Sequence, residues 1–458
     1  MAMGSFPDGF LWGVGTAAHQ VEGANDNNDW WAWEQAPGHI KNGDKSTIAT
    51  DWWHGERYRE DFALARSLHL NAHRLSVEWS RIEPREGEWS AEAISFYRRV
   101  LLALRGHGAV PLITLHHFTN PRWVMAKGGW ETEAIVPLFA RFADRVAREL
   151  GDLCDFWVTV NEPFVYAFSS YAGGQWPPGK KDLRLTFRVL ANMVRGHAAA
   201  YHALHRVQPR ARVGVAHHLR GFAPANPASA LDRWGARLRD RVSNRLFFLA
   251  LLDGKLRFPL SGTVPEAART QDFVGINYYY TEHCAFAPTR PDLLFTREVR
   301  ANWPSTAPWF AAHAEPRMLR RFLQEYSHYG LPIYVTENGI FDLGGEAQTR
   351  YLVSHLVQVQ RAIADGAPVK GYFYWTLTDN FEWAEGFATR FGLFHLDVAS
   401  QARTPRPSAS VYGRIAGENG IPADLIEQNP ATVRSASEGG KLHRTAQSEL
   451  MLPWRTNW

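Results

Sequence analysis

The sequence has few cysteines and no long apolar run. Of its 458 residues, two are cysteine, Cys154 and Cys284, which lie far apart within apolar, strand-like sequence. This argues against a disulfide framework or a cysteine metal site and favours two buried free thiols. No stretch reaches the roughly 18 apolar residues that a membrane-spanning helix needs, and residues 1–10 lack the features of a secretory signal. We therefore expect a cytoplasmic protein with no membrane partner.

Charge of one sign is not concentrated anywhere in the chain. The formal net charge is +4, from 50 lysine and arginine residues against 46 aspartate and glutamate residues. The basic residues are scattered among acidic ones, which argues against a nucleic-acid partner. The apolar fraction of 45% and the charged fraction of 21% exclude a disordered or fibrous chain. This composition is compatible with either a monomer or an oligomer.

Tryptophan, in contrast, is abundant. The chain has 19 tryptophans, and many stand in loop-like sequence, for example Trp30, Trp31, Trp33, Trp52 and Trp53. Such rings either stack on flat ligands and sugar rings or cover the core. For any single one of them, covering the core is the favoured interpretation.

Short apolar runs alternate with longer amphipathic stretches, which is typical of βα units and a parallel sheet. The strand candidates are residues 9–15, 72–77, 110–116, 156–161, 212–216, 273–278, 333–337 and 371–376. The helix candidates are residues 57–68, 91–105, 135–150, 183–208, 316–329 and 349–365. Eight strands without a Pro/Gly/Ser-rich linker favour one closed (β/α)8 barrel, an α/β TIM barrel, over two doubly wound halves. We assign the barrel to residues 1–422 and a polar C-terminal tail to residues 423–458.

Polar side chains are unusually frequent at the predicted strand ends. In a barrel of this kind the C-terminal ends of the strands converge on one face, where active sites form. The residues at or just after these ends are Gln20, Arg74, His116, His117, Asn161, Glu162, Asn277, Tyr279, Glu337, Trp375, Glu382 and Trp383.

Two glutamates, Glu162 and Glu337, each end an apolar strand directly, in the segments TVNEP and TENG. A single strand-end glutamate is usually a solvated or ion-paired side chain. Two carboxylates facing each other across a barrel mouth can cleave a glycosidic bond, one as proton donor and the other as nucleophile. A separation of about 5 Å predicts retention of configuration, and a wider gap predicts inversion.

The whole set of segments resembles glycoside hydrolase family 1. The matching segments are FPDGFLWG (6–13), AAHQVEG (17–23), RLS (74–76), WSRI (79–82), LHH (115–117), TVNEP (159–163), NYY (277–279), TENG (336–339), WTLTDNFEW (375–383) and RTP (403–405). They follow the family order over most of the chain. The resemblance implies a retaining exo-β-glycosidase that hydrolyses non-reducing terminal β-D-glucosides, and also β-galactosides and β-fucosides, through a covalent glycosyl-enzyme.

The resemblance also implies a role for each matching residue. Glu162 would be the general acid/base and Glu337 the nucleophile. Asn161 would hold the sugar 2-hydroxyl. The other substrate-binding residues would be Gln20, His117, Asn277, Tyr279, Trp375, Glu382 and Trp383, with Arg74 and Phe391 in supporting positions. No cofactor is implied, and a small β-glycoside or oligosaccharide would be the partner.

The chemistry of these residues predicts a division of protonation states. Arg74 and Tyr279 would lower the pKa of Glu337, whereas burial and the Glu337 charge would raise the pKa of Glu162. Glu382, placed at the 4- and 6-hydroxyls, would repel a 6-phosphate, so unphosphorylated sugars are expected. Adjacent strand residues point to opposite faces, so His117 is interpreted as a sugar ligand and His116 as a packing residue, not as a metal pair.

Two positions depart from the family pattern. Phe118 follows His117 where the family very often has tryptophan, so the indole donor to the 3-hydroxyl is missing. The family's Gly-Trp pair at the leaving-group site is absent from residues 302–315, which contain Trp303 and Trp309 instead.

Three other functions remain alternatives. A transglycosylase needs the same two glutamates and differs in how an acceptor sugar competes with water. A carbohydrate-binding relative without turnover is less favoured because both carboxylates are retained. A thioglucosidase is disfavoured because such enzymes have a non-acidic residue at the position of Glu162.

Overall fold

Eight strands of the chain close into one parallel barrel in the computed structural model, which describes residues 4–299, 314–342 and 346–428. The strands are β1 (Leu11–Gly15), β2 (Ala72–Ser76), β3 (Val110–His116), β4 (Phe156–Asn161), β5 (Arg212–His218), β6 (Gly221–Pro224), β7 (Phe273–Asn277), β8 (Thr281–Phe286), β9 (Thr296–Glu298), β10 (Ile333–Asn338), β11 (Val369–Trp375), β12 (Phe394–Leu396) and β13 (Arg403–Pro405). The barrel order is β1-β11-β10-β7-β5-β4-β3-β2. The predicted (β/α)8 fold is confirmed.

Helices occupy the connections between barrel strands. The α-helices are Ala18–Val21, Asp29–Glu34, Tyr58–Ser67, Trp79–Ile82, Ala91–Gly106, Arg122–Ala126, Ile135–Leu150, Pro163–Ala167, Leu183–Val207, Ala230–Asp240, Leu246–Asp253, Pro316–Ser327, Glu346–Ala364, Pro407–Glu418 and Ala423–Glu427. In the described part of the chain, none is both long and apolar enough to cross a membrane.

Nearly all predicted boundaries lie within two residues of the observed ones, and about half are identical to them. The strand predicted at 212–216 is the important case, because β5 continues to His218. The predicted tail falls mostly on residues 429–458, outside the described residues. Its first part forms the helix Ala423–Glu427, in which Leu425 is buried. The division at residue 422 stays a prediction.

The barrel strands are buried on both faces, which explains their nearly continuous apolar sequence. All six residues of β4 are buried, between the barrel interior and the surrounding helices. The helix Ile135–Leu150 packs a stripe onto this layer that includes Ile135, Phe139, Phe142 and Val146. Their spacing of three or four residues places them on one helix face.

Three aromatic rings fill the barrel interior at the N-terminal ends of the strands. Phe156, Phe273 and Tyr334 lie with ring centroids 4.9 to 5.5 Å apart. Because β4 and β10 are not neighbours in the barrel, the contact between Phe156 and Tyr334 crosses its interior. Gly214 makes room for this layer, since a Cβ there would stand 2.8 Å from Phe273 Cζ.

A short two-stranded sheet, β12 and β13, follows the barrel and fixes the segment after β11. The buried guanidinium of Arg406 makes two hydrogen bonds to Asp379, at 2.9 and 2.8 Å. Asp379 also accepts from the backbone N–H of Gly392 at 3.0 Å. This ion pair therefore anchors the segment that leads to Glu382 and Trp383.

Elsewhere in the molecule, both cysteines are buried and form no disulfide, as expected.

Candidate active site

Arg74, at the centre of β2, connects the two strand-end glutamates. Its side chain is buried, and its Nη1 forms an ion pair with Glu337 Oε1. Its Nη2 donates to Asn161 Oδ1 at 2.6 Å, and its Nε donates to Thr114 Oγ1 at 3.1 Å. Since β2 and β10 are not adjacent, the arginine reaches Glu337 across the barrel interior.

Glu337 ends an apolar run in β10 and has a second partner besides Arg74. The hydroxyl of Tyr279 donates to Glu337 Oε2 at 2.6 Å. The ring of Phe391 packs against Tyr279, with centroids 5.9 Å apart. Each oxygen of the Glu337 carboxylate therefore has a partner, Arg74 or Tyr279. The ring of Phe391 supports the orientation of Tyr279.

Glu162 follows β4 at a sharp turn into the helix Pro163–Ala167. Its φ of 43° lies in the left-handed region, which non-glycine residues rarely adopt. Asn277 Nδ2 donates to Glu162 Oε1 at 2.8 Å, and Thr336 Oγ1 orients that amide by donating to its oxygen at 2.6 Å. His218 Nδ1 lies 3.3 Å from Glu162 Oε2. The two glutamates thus belong to one hydrogen-bonded network through Asn161, Asn277 and Arg74.

Burial raises the pKa of Glu337 to about 7, and the charge of Glu162 acts in the same direction, while Arg74 and Tyr279 oppose the rise. Burial also raises the pKa of Glu162, but His218, Asn277 and Arg74 outweigh it, and the pKa is lowered. Because His218 is the largest of these opposing causes, the lowering depends on a positively charged imidazole. Both net directions are the reverse of those predicted from the sequence, because burial outweighs Arg74 and Tyr279 at Glu337, and a cationic His218 together with Asn277 and Arg74 outweighs burial at Glu162. Beside a neutral imidazole, burial favours the protonated form of Glu162.

The predicted sugar ligands border this network. Asn161 Nδ2 lies 3.2 Å from His117 Nε2. Gln20 Nε2 donates to Glu382 Oε2 at 3.1 Å and to the carbonyl of Phe381 at 2.9 Å. Among the described residues, buried Gln20 Oε1 and His117 Nδ1 have no hydrogen-bond partner. Buried polar atoms are normally satisfied, so these two are suited to bind ligand hydroxyls.

Tryptophan rings form the walls beside these ligands. His117 lies nearly parallel to Trp375 and to Trp383, at 5.8 and 6.0 Å between centroids. Gly15 permits the position of Trp375, because a Cβ there would stand 2.9 Å from the indole. Trp30 is fully buried and packs behind Trp383 at 4.8 Å, so it covers the core and supports the wall.

Glu382 has a strongly shifted acidity. Burial and the charge of Glu337 raise the pKa of Glu382 to about 8, while hydrogen bonds from Gln20 and Trp375 oppose the rise. This carboxyl therefore retains its proton to near neutral pH in the unliganded site, where it can both donate and accept.

His116 and Phe118 lie on either side of His117 in the sequence. His116 points away from the network, with Nε2 3.1 Å from Asn120 Oδ1 and its ring against Trp130 at 5.4 Å. Phe118 packs against Trp383 at 5.2 Å and Trp176 at 4.8 Å. In the described ranges, no cluster of three or more His, Cys, Asp and Glu side chains forms a metal site.

Sequence reasoning missed two residues at this site. Trp176 does not follow a barrel strand, and it adds an indole beside Phe118 and Trp383. His218 was missed because the fifth strand was ended at Ala216. The pair His217-His218, directly after an apolar run, is the signal that would have found it. The leaving-group stretch at 302–315 lies almost entirely outside the described residues.

Comparison with known proteins identifies the family. The model of Glycosyl hydrolase family 1 matches residues 2–421. The chain belongs to this family. It is therefore a glycoside hydrolase, and its closed eight-stranded barrel is the TIM barrel of family 1 glycosidases.

Individual relatives match over nearly their whole length. A 1,4-beta-D-glucan glucohydrolase of Thermotoga neapolitana is 32% identical over 449 residues, covering 92% of this chain and all of that protein. A beta-glycosidase structure from Pyrococcus horikoshii superposes with a TM-score of 0.84 at 36% identity, covering 94% of this chain and 98% of that one. The beta-glucosidase from Thermotoga maritima in complex with glucoimidazole gives a TM-score of 0.85 at 30% identity, covering 91% and 100%.

Proposed function

We propose that this family 1 enzyme is a retaining exo-β-glycosidase with Glu337 as nucleophile and Glu162 as general acid/base. Its substrates would be terminal β-D-glucosides, and also β-galactosides and β-fucosides. One observation carries the proposal: Glu337 is bound by the permanent cation of Arg74 and by Tyr279, while Glu162 contacts a neutral amide and a titratable imidazole. Arg74 and Tyr279 thus stabilise the charged form of Glu337 against its burial, whereas Glu162 has a partner that can gain and lose a proton.

In the first step, Glu337 attacks the anomeric carbon while Glu162 protonates the leaving oxygen. The bond from the anomeric carbon to the aglycone oxygen breaks, and a bond to a Glu337 oxygen forms. Arg74 and Tyr279 keep Glu337 oriented through the approach. Asn161, held by Arg74, is positioned to bind the 2-hydroxyl, an interaction that strengthens in the transition state.

In the second step, Glu162 is a carboxylate and takes a proton from water, whose oxygen attacks the anomeric carbon. The ester to Glu337 breaks, and its negative charge returns. Two inversions at the same carbon give a product with the starting configuration.

Recognition of the sugar would rest on the outer hydroxyls. Gln20 donates a hydrogen bond to Glu382, so the two side chains lie side by side. The carboxyl of Glu382 can donate or accept according to its protonation. Such a pair can bind a 4-hydroxyl in either orientation, which supports activity on both glucosides and galactosides. His117 would bind the 3-hydroxyl and Trp375 would stack on the ring.

The decisive experiment is Glu337→Gly, measured on an aryl β-glucoside. We expect hydrolysis to fall by roughly five orders of magnitude, as losses of a covalent nucleophile commonly do. Added azide should enter the space left by the side chain and attack the anomeric carbon, partly restoring turnover and giving the α-glycosyl azide. Glu385→Gly is the matched control, because Glu385 is exposed and pairs with Lys41; it should keep wild-type activity. Near wild-type hydrolysis by Glu337→Gly would refute the assignment.

A further inference from the structure

His218 is the last residue of β5 and lies beside the proposed acid/base. In the register of the neighbouring strand its partner is Asn277. Asn277 binds one oxygen of the Glu162 carboxyl, and His218 Nδ1 lies 3.3 Å from the other. Each carboxyl oxygen therefore faces one nitrogen. Of these two side chains, the imidazole is the one that can bind a proton.

The imidazole of His218 is not committed to another group. Across the described residues, neither of its ring nitrogens makes a hydrogen bond of good geometry. The side chain is 9% exposed, so water does not surround it. The preceding residue differs: His217 Nε2 lies 2.8 Å from Gln271 Oε1, on the outer side of the barrel.

Charged and titratable groups face His218 from several elements. Tyr279, after β7, has its ring centroid 5.8 Å from the imidazole. Glu282, in β8, is bound by both Arg220 and Arg239. Since Glu282 has two arginine partners, it competes weakly for a third cation.

The remaining neighbours leave Glu162 as the carboxylate that responds to His218. The helix Pro163–Ala167, which packs on β5, carries Tyr166, whose hydroxyl accepts a hydrogen bond from Asn120. Arg74 lowers the pKa of Glu162 electrostatically, and its ion pair is with Glu337. A charged His218 is also the largest cause that lowers the pKa of Glu162.

We propose that His218 is a positioning residue that shares the proton of Glu162. The inference rests on the role proposed for Glu162. Two arrangements hold the same number of protons: a Glu162 carboxylic acid beside a neutral imidazole, and a Glu162 carboxylate beside an imidazolium. Transfer of the proton from Oε2 to Nδ1 converts the first into the second without changing the total charge.

The two arrangements match the two steps of the reaction. The first step uses the carboxylic acid, which the charge of Glu337 favours. When Glu337 becomes an ester, its charge disappears and the repulsion that opposed a Glu162 carboxylate disappears with it. The imidazolium then holds the proton and stabilises the carboxylate that activates water.

The test compares His218→Asn and His218→Gln with the matched control His217→Asn. For 4-nitrophenyl β-glucoside, the basic limb of the kcat/KM profile should move down by roughly half a pH unit in both His218 variants, because a proton shared by two sites in the wild-type enzyme is held by Glu162 alone. For 2,4-dinitrophenyl β-glucoside, where the second step limits, the acidic limb of kcat should move up by about one pH unit, because Glu162 loses the imidazolium that stabilises its carboxylate. The His217 variant should leave both limbs in place. Lower rates without a shift of either limb of the pH profiles would indicate a merely structural role and overturn the proposal.

A direct titration separates this inference from the proposed function. Glu162 is followed by carbon-13 NMR of glutamate-labelled protein, with Glu162→Gln to assign the signal. Its titration should move up in His218→Asn and stay in place in His217→Asn, even if a variant is inactive. A titration that does not move overturns the inference. A wild-type enzyme that hydrolyses no β-glycoside refutes the proposed function, while a shifted titration would still support proton sharing.

Discussion

Glu162 and Glu337 are identical side chains that the protein places in different surroundings. The charge of Arg74 is permanent, so Glu337 has a cation at every physiological pH. Glu162 has a partner whose charge depends on pH. The difference between the two proposed roles therefore comes from neighbours on β2 and β5, not from the glutamates themselves.

Replacing Glu162 by alanine should separate substrates by their leaving groups. We expect kcat/KM on alkyl glucosides and disaccharides to fall about 10³-fold, within the range that general acids contribute. On 2,4-dinitrophenyl β-glucoside the first step should fall less than about 10-fold, because that leaving group needs no proton. Pre-steady-state release of dinitrophenol measures the first step. An equal loss on both substrates would argue against the acid role.

Glu382→Gln tests the contact proposed for the 4- and 6-hydroxyls. The amide keeps the shape and cannot ionise, so above about pH 8, where Glu382 is charged, kcat/KM on 4-nitrophenyl β-glucoside should fall about 10- to 100-fold, the value of one or two hydrogen bonds to a charged group. A 6-deoxy substrate such as the β-fucoside should lose less. A loss that is equal on glucoside and fucoside would place the 6-hydroxyl elsewhere.

Most of the network could be predicted from residues that end apolar runs. Asn161, Glu162, Asn277 and Glu337 are visible in this way, because parallel strands bring their C-terminal ends together. The pairing of Glu337 with Arg74 and Tyr279 was predicted as well. The pairing of Glu162 with Asn277 and His218, and the protonation that follows from it, was not. His218 depends on where β5 ends, and strand boundaries are set by tertiary pairing, here with β7, rather than by local sequence.

Among the secondary-structure elements, the segment after β11 depends most visibly on Asp379 and its partners. Asp379 receives the Arg406 guanidinium and backbone N–H groups of Gly392 and Leu396, all of them buried, and the partly exposed His395 Nδ1 lies 3.0 Å from it. Removal of Arg406 takes away the buried cation that faces the buried Asp379 carboxylate.

Arg406→Ala should therefore destabilise the enzyme and loosen its sugar site. We expect the free energy of unfolding to fall by about 3 kcal/mol, measured by denaturant titration. KM for the glucoside should rise more than kcat falls, because the segment carries Glu382 and Trp383. Arg414→Ala, which breaks the exposed pair with Asp424, is the control and should change stability by less than about 1 kcal/mol. Equal effects of the two substitutions would contradict the anchoring role.

For the whole molecule, buried titratable groups determine how stability depends on pH. Burial lowers the pKa of six described histidines to between about 3 and 4, His19, His73, His116, His197, His217 and His355, and also lowers the pKa of His117 well below its ordinary value. Unfolding releases these seven groups to ordinary values near 6.5, so the unfolded state gains protons and stability falls as the pH falls below 6.5. Seven described carboxyls act oppositely, because burial raises their pKa and the folded state gains protons first. The pKa is raised to about 7 in Glu22, Asp29 and Glu337 and to about 8 in Glu382, and it is raised also in Glu34, Asp61 and Glu78.

These opposing contributions predict a two-part stability profile. Between pH 6.5 and about 4.5 the proton uptake of the two states largely cancels. Below about 4.5 the carboxyls are protonated in both states and the histidines act alone, at about 1.4 kcal/mol per pH unit for each proton. Scanning calorimetry should therefore show a nearly constant Tm from pH 6.5 to 5 and a steep decline between 4.5 and 3. A uniform decline that begins at pH 6.5 would contradict the balance.

The aromatic layer of Phe156, Phe273 and Tyr334 lies in the barrel interior beneath the site and separates it from the N-terminal ends of the strands. A ligand therefore enters and leaves by the same face. In the proposed exo-cleavage, only the end of an oligosaccharide enters, the leaving group departs first, and the freed sugar departs last. We therefore expect the released monosaccharide to compete with incoming substrate for the site, so that accumulated product inhibits the enzyme.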